Sequence, residues 1–81
     1  MKYIVAKINN NDKLKVSYLY KRYNDSYVFS SNPNIYFDSE EQAINFINYN
    51  SYRFKDKINS KEEKLYVLPI EKKDEMIIKY D

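Results

Sequence analysis

Two pairs of adjacent carboxylates, Glu40-Glu41 and Glu62-Glu63, are the residues of this chain best suited to acid–base or metal chemistry. Neighbouring residues point apart on a helix or a strand, so neither pair converges on a substrate. Asp38, Glu40 and Glu41 crowd what reads as a helix start, but they lack the spacing and the glycine turn of a calcium loop. The run Asn9-Asn10-Asn11-Asp12 offers oxygens to a cation, and turn formation accounts for it more simply. The serines have no histidine to activate them, because the 81 residues contain no histidine, no cysteine and no glycine. The usual neutral-pH base, the thiolate metal ligand and the glycine-rich phosphate loop are therefore all missing. These absences point to a non-enzymatic protein, with no catalytic residue, no metal and no cofactor.

The second chemically suggestive feature is aromatic. Residues 17–28 read SYLYKRYNDSYV, in which Tyr18, Tyr20, Tyr23 and Tyr27 surround Lys21 and Arg22. Tyrosine is a favoured strand residue, and cross-strand aromatic pairs alone would account for it. Tyrosine and arginine are also the residues most enriched at protein-binding hot spots. On that reading the contact set is Tyr18, Tyr20, Arg22, Tyr23 and Tyr27, with Tyr3 as a cross-strand neighbour. The alternative is a stacking platform for single-stranded RNA or DNA, with Lys13, Lys15, Lys21 and Arg22 as the phosphate-binding set. Against it, the stretch DSYVFS lacks the glycines of the RNA-recognition signature, and one helix is too few for that βαββαβ module.

These side chains must be positioned by a small number of elements. KYIVAKI alternates Ile4, Ala6 and Ile8 with Tyr3, Val5 and Lys7, the pattern of a strand. The following Asn-Asp cluster is a turn, since Asn and Asp best tolerate positive φ in a chain without glycine. Leu14, Val16, Tyr18 and Tyr20 form the apolar face of a second strand, and Tyr27-Val28-Phe29 starts a third, which Pro33 ends. A helix follows, capped by Asp38 or Ser39, with Ser39 and Gln42 placed for a reciprocal capping box. Ala43, Phe46, Ile47 and Asn50 make its inward stripe. Residues 51–64 read as a polar connection anchored by Tyr52, Phe54 and Ile58 and holding a short strand or helical turn. KLYVLPI, with Pro69 marking an edge or bulge, is a fourth strand, and EMIIKY a fifth.

The expected fold is therefore a single α+β domain over residues 1–81, an antiparallel sheet of order βββαββ with one helix on one face. One short helix cannot cover five strands, so a tyrosine-bearing sheet face is expected to be left for water or a partner. Sheet edges could also pair into a homodimer.

The net charge of +2 argues for no strongly basic face, and hence against duplex DNA. MKYIVAKINNN has only a short apolar run, which reads as no secretory signal, and no stretch reaches membrane-spanning length. A cytoplasmic location is expected. Ten asparagines and ten tyrosines suggest AT-rich coding, common among small accessory proteins of phages and plasmids. The resulting expectation is a protein-binding module that serves a mobile element as an accessory or inhibitory factor. It would act on a host protein, for example a defence nuclease, by steric occlusion. A structural or self-assembling role in a phage or plasmid is a further alternative.

Overall fold

The computed structural model describes residues 1–12 and 14–73. Strands β1 (Tyr3–Asn9), β2 (Val16–Lys21) and β3 (Tyr27–Ser30) are followed by helix α1 (Glu40–Asn50) and strand β4 (Glu63–Pro69). Short 3-10 turns occupy Ser51–Arg53, Lys55–Lys57 and Ile70–Lys72. The four strands form one antiparallel sheet of order β3-β2-β1-β4, with the helix on one side. The fold is thus the expected α+β arrangement. The fifth strand expected at EMIIKY lies outside the described residues.

Alternation along β1 divides the apolar residues between two layers. Val5 joins Leu19, Tyr27, Ala43 and Phe54 beneath the helix, with Phe46 and Ile47 of α1 packed against them. Ile4, Ala6 and Ile8 join Tyr18 and Leu68 on the opposite face, flanked by Val16, Tyr66 and Ile70. Leu14 precedes β2 and is exposed, so the apolar face of that strand begins at Val16.

The face opposite α1 is not open at its centre, contrary to the expectation of an uncovered tyrosine surface. Tyr18 is buried there among Ile4, Ala6, Ile8 and Leu68. The chain leaving β4 contributes to this. The Ile70 amide donates to the Lys2 carbonyl at 2.9 Å, Ile70 packs on the cluster, and the Tyr18 hydroxyl donates to the Lys73 carbonyl at 3.2 Å.

Two turns show how the chain manages without glycine. Asn9, itself buried, accepts from the amides of Asn11 and Asp12 through its side-chain oxygen at 2.8 and 3.0 Å. Among the described residues positive φ occurs instead at Asp25, φ 64°, in the β2–β3 turn. The cap of α1 also differs in detail from a reciprocal box. The Ser39 hydroxyl accepts from the Gln42 amide at 3.1 Å, but the Gln42 side chain accepts from Asp38, one residue further upstream. Asp38 in turn pairs with Lys2, whose hydrogen bond and charge hold its carboxyl below the ordinary value.

The connection after α1 is made of 3-10 turns that place Phe54 at 0% exposure. Its ring sits edge-on to Tyr27 and Phe29 at 6.2 and 6.0 Å. Lys57 ties the same segment to β3 by donating to the Tyr27 carbonyl at 2.7 Å. A segment that reads as polar linker therefore extends the helical layer over β3.

Candidate functional site

The β2–β3 turn and the segment running back toward the helix form one exposed unit. Beyond the Lys21–Tyr27 pair, the Arg22 amide donates to the Ser26 carbonyl at 2.9 Å and the Asp25 amide to the Arg22 carbonyl at 3.0 Å. Asn24 accepts from both the amide and the hydroxyl of Ser26 through its side-chain oxygen. Lys21 and Asp25 form an ion pair at 3.2 Å. These local bonds hold the turn in one shape, with Arg22 and Tyr23 projecting from it.

The segment 34–37 fixes the hairpin to the rest of the sheet. β1 pairs with β2 only from Ala6–Tyr18 to Ile8–Val16, so the two strands part beyond that point. Tyr3 then bonds Phe37, each amide donating to the other's carbonyl at 2.8 and 2.9 Å. Asn34 imitates a strand residue with its side chain, accepting from the Lys21 amide and donating to the Lys21 carbonyl, both at 2.7 Å. The amide of asparagine has one donor and one acceptor in the right geometry for this substitution. Between this strap and the turn lies a cleft of about 670 Å³, walled by Lys21, Arg22 and Tyr23 on one side and by Ile35 and Tyr36 on the other.

The residues singled out in the sequence do not share one face. Tyr27 is buried under α1, edge-on to Phe46 at 5.5 Å and stacked by the Arg53 guanidinium at 5.3 Å. Tyr18 is buried on the other side of the sheet, beneath the Lys73 ammonium at 5.1 Å. Tyr20, two residues along, shares that side and is half-buried, while Tyr3 is half-buried at the start of β1. Only Arg22 and Tyr23 are exposed together, and Tyr23 is fully so. Strand alternation is the reason: Tyr18 and Tyr20 have one parity, and Tyr27 falls across the turn opposite Lys21, on the other.

The basic set is also dispersed. Lys15 and Lys21 flank opposite ends of β2, roughly 20 Å apart at the rise of a strand, and Lys13 lies outside the described residues. Lys21 is already paired with Asp25. Arg22 has no ion-pair partner among the described residues.

Asn34 and Tyr36 lie outside the tyrosine-rich stretch of residues 17–28 and complete the site from a different segment. Tyr36 is an exposed ring between the inward-facing Ile35 and Phe37, so the alternation in Ile-Tyr-Phe could have marked it. Nothing in the sequence announces the role of Asn34, whose partners are backbone atoms thirteen residues away.

The carboxylate pairs do not assemble into a site. Glu63 pairs with Lys7 at 3.6 Å and accepts from the Asn59 amide at 2.7 Å, a structural use. Among the described residues no group of three acidic, histidine or cysteine side chains is placed to hold a metal, and no helix is long and apolar enough to cross a membrane. Comparison with protein-family models, curated proteins and solved structures returns no match, so no relative lends this chain a family or a site.

Proposed function

We propose that this chain is a non-enzymatic protein-binding module that engages another protein through the tip of its β2–β3 hairpin. Tyr23 and Arg22 are the anchors, with Tyr36 beside them across the cleft. The observation that carries this reading is a fully exposed tyrosine beside an arginine with no ion-pair partner among the described residues, on a turn locked by the Asn34 strap. Tyrosine and arginine supply large contact areas with polar handles. A rigid turn loses little conformational entropy on binding. Buried Tyr18 and Tyr27 serve the fold in this scheme. Missing catalytic residue types favour binding over chemistry, and the AT-biased composition favours a cytoplasmic accessory or inhibitory factor of a mobile element. Such a factor would obstruct a host protein sterically.

A nucleic-acid platform has less support, because Tyr18 is buried and the basic residues stand at opposite ends of β2. The test is capture of host proteins on the immobilised chain, with nuclease treatment, comparing wild type with Arg22→Ala/Tyr23→Ala. Both side chains are exposed, so the variant should keep its circular dichroism spectrum and its melting temperature. A specific protein retained by wild type and lost by the variant is expected. Retention that nuclease abolishes, or that the variant leaves intact, would overturn the reading.

A further inference from the structure

The outward face of α1 breaks the usual rule for a surface helix. Such helices carry charge on their solvent side, and charged residues make up 32% of this chain. Yet the eleven residues from Gln42 to Tyr52 contain no charge at all. Ala43, Phe46 and Ile47 point to the sheet. The solvent side presents Asn45 and Asn48 with two large side chains, Ile44 at 44% and Tyr49 at 80% exposure, and Tyr52, in the 3-10 turn that follows, is 68% exposed. Depletion of charge with enrichment of tyrosine is the composition of an interface centre.

The ends of this face are charged with opposite signs. Glu40 and Glu41 open the helix, and Lys55 follows its end, whereas the intervening Arg53 turns in onto the Tyr27 ring. Among the described residues none of Glu40, Glu41 and Lys55 is in an ion pair. The eleven residues of α1 rise about 16 Å at helical pitch.

We infer that this face is the contact surface for a second copy of the chain, with two α1 helices packed antiparallel about a two-fold axis. A two-fold interface must be complementary to itself. An antiparallel pair centred near residues 47–48 meets that condition. Glu40 of one copy then lies opposite Lys55 of the other, with Glu41 beside it. Ile44 and Asn45 lie opposite Tyr52 and Tyr49, and the two Asn48 residues meet near the axis. Amides and phenols both donate and accept, so they can bond to their own kind. The helix dipoles oppose one another as well.

The area sets the strength. Two tyrosines this exposed offer roughly 150 Å² each on the scale of aromatic side chains. With Ile44, Asn45 and Asn48 the patch reaches on the order of 500 Å² per copy, or about 1,000 Å² for the pair, the lower edge of specific interfaces. The dimer is accordingly weak and concentration-dependent. It is separate from the hairpin tip, so each dimer displays two tips.

Sedimentation equilibrium of the full chain, from about micromolar to millimolar concentration, tests this. Wild type should show a monomer–dimer equilibrium. Asn48→Glu brings two like charges together at the axis and should weaken the dimer about tenfold or more. Glu40→Lys and Lys55→Glu should each weaken it, and the two together should restore it to within about threefold of wild type, since the pair is reversed rather than removed. Arg22→Ala/Tyr23→Ala should leave it unchanged. Asn48 is exposed, and circular dichroism of each variant confirms the fold. A chain that stays monomeric throughout would assign the face to some other occupant and overturn the inference. So would a dimer indifferent to Asn48→Glu, or a double variant no better than the weaker single one.

Discussion

Phe54→Ala should be among the most damaging single substitutions in this chain, although its surroundings in sequence are polar. The ring is completely shielded and makes edge-on contacts with both Tyr27 and Phe29. Removing a buried phenylalanine costs about 3–5 kcal/mol in transfer free energy and cavity. A domain of 81 residues holds a total of about 4–12 kcal/mol at typical per-residue stability. The loss is therefore a large fraction of the whole, and the melting temperature should fall by about 15–30 °C for a chain of this size. Phe54→Leu keeps most of the volume and should cost under about 2 kcal/mol. Tyr52→Ala, two residues away and exposed, should cost within about 0.5 kcal/mol. Urea titrations followed by far-ultraviolet circular dichroism, in dilute solution, measure all three. If Phe54→Ala and Tyr52→Ala lose the same amount, the 3-10 segment is not a packed part of the helical layer and the account of the core is wrong.

Other substitutions probe the turns and the pH response. Asn34→Ala removes two hydrogen bonds to Lys21 and should cost about 1–3 kcal/mol at the usual net value per bond, as read from the urea midpoint. It should also weaken partner capture without altering Arg22 or Tyr23. At Asp25, whose φ is 64°, Asp25→Val should destabilise the protein by about 1–2 kcal/mol because a branched side chain resists that backbone. Asp25→Gly should come close to wild type in the same urea assay. Asp38 has its carboxyl pulled down by Lys2 from an ordinary 3.8. Stability from that pair is present above the ordinary value and is lost as pH falls through the lower folded one. Thermal melts from pH 5 downward should therefore show Asp38→Asn losing less stability on acidification than wild type.

Much of the fold can be read from local periodicity, because the pattern acts where the residues are. The β1 alternation, the Ser39 cap and the Ala43–Phe46–Ile47 stripe each depend on neighbours within a few positions, and each stands as the spacing implies. Phe54 is legible only in part: SYRFKDK marks it as an anchor alongside Tyr52, but its partners Tyr27 and Phe29 lie some twenty-five residues away, so its complete burial is not written in the local pattern. The candidate site suffered for a similar reason. Sequence proximity gathered Tyr18, Tyr20, Arg22, Tyr23 and Tyr27, but strand parity separated them across two faces and left Arg22 and Tyr23 together. Tyr36 and Asn34 joined them through a strap whose bonds span thirteen residues or more. Periodicity does not encode such pairings.

That strap has a consequence for how the molecule opens. Residues 34–37 bond to Lys21 at one end and to Tyr3 at the other, just before the helix cap and Asp38, which grips Lys2. The hairpin tip, the start of the chain and the first turn of the helix are thus laced into one cooperative unit, even though nearly twenty residues separate each from the next in sequence. Amide protons at Tyr3, Lys21 and Phe37 should then exchange with solvent at a shared opening free energy, and a partner gripping the tip would slow exchange at all three.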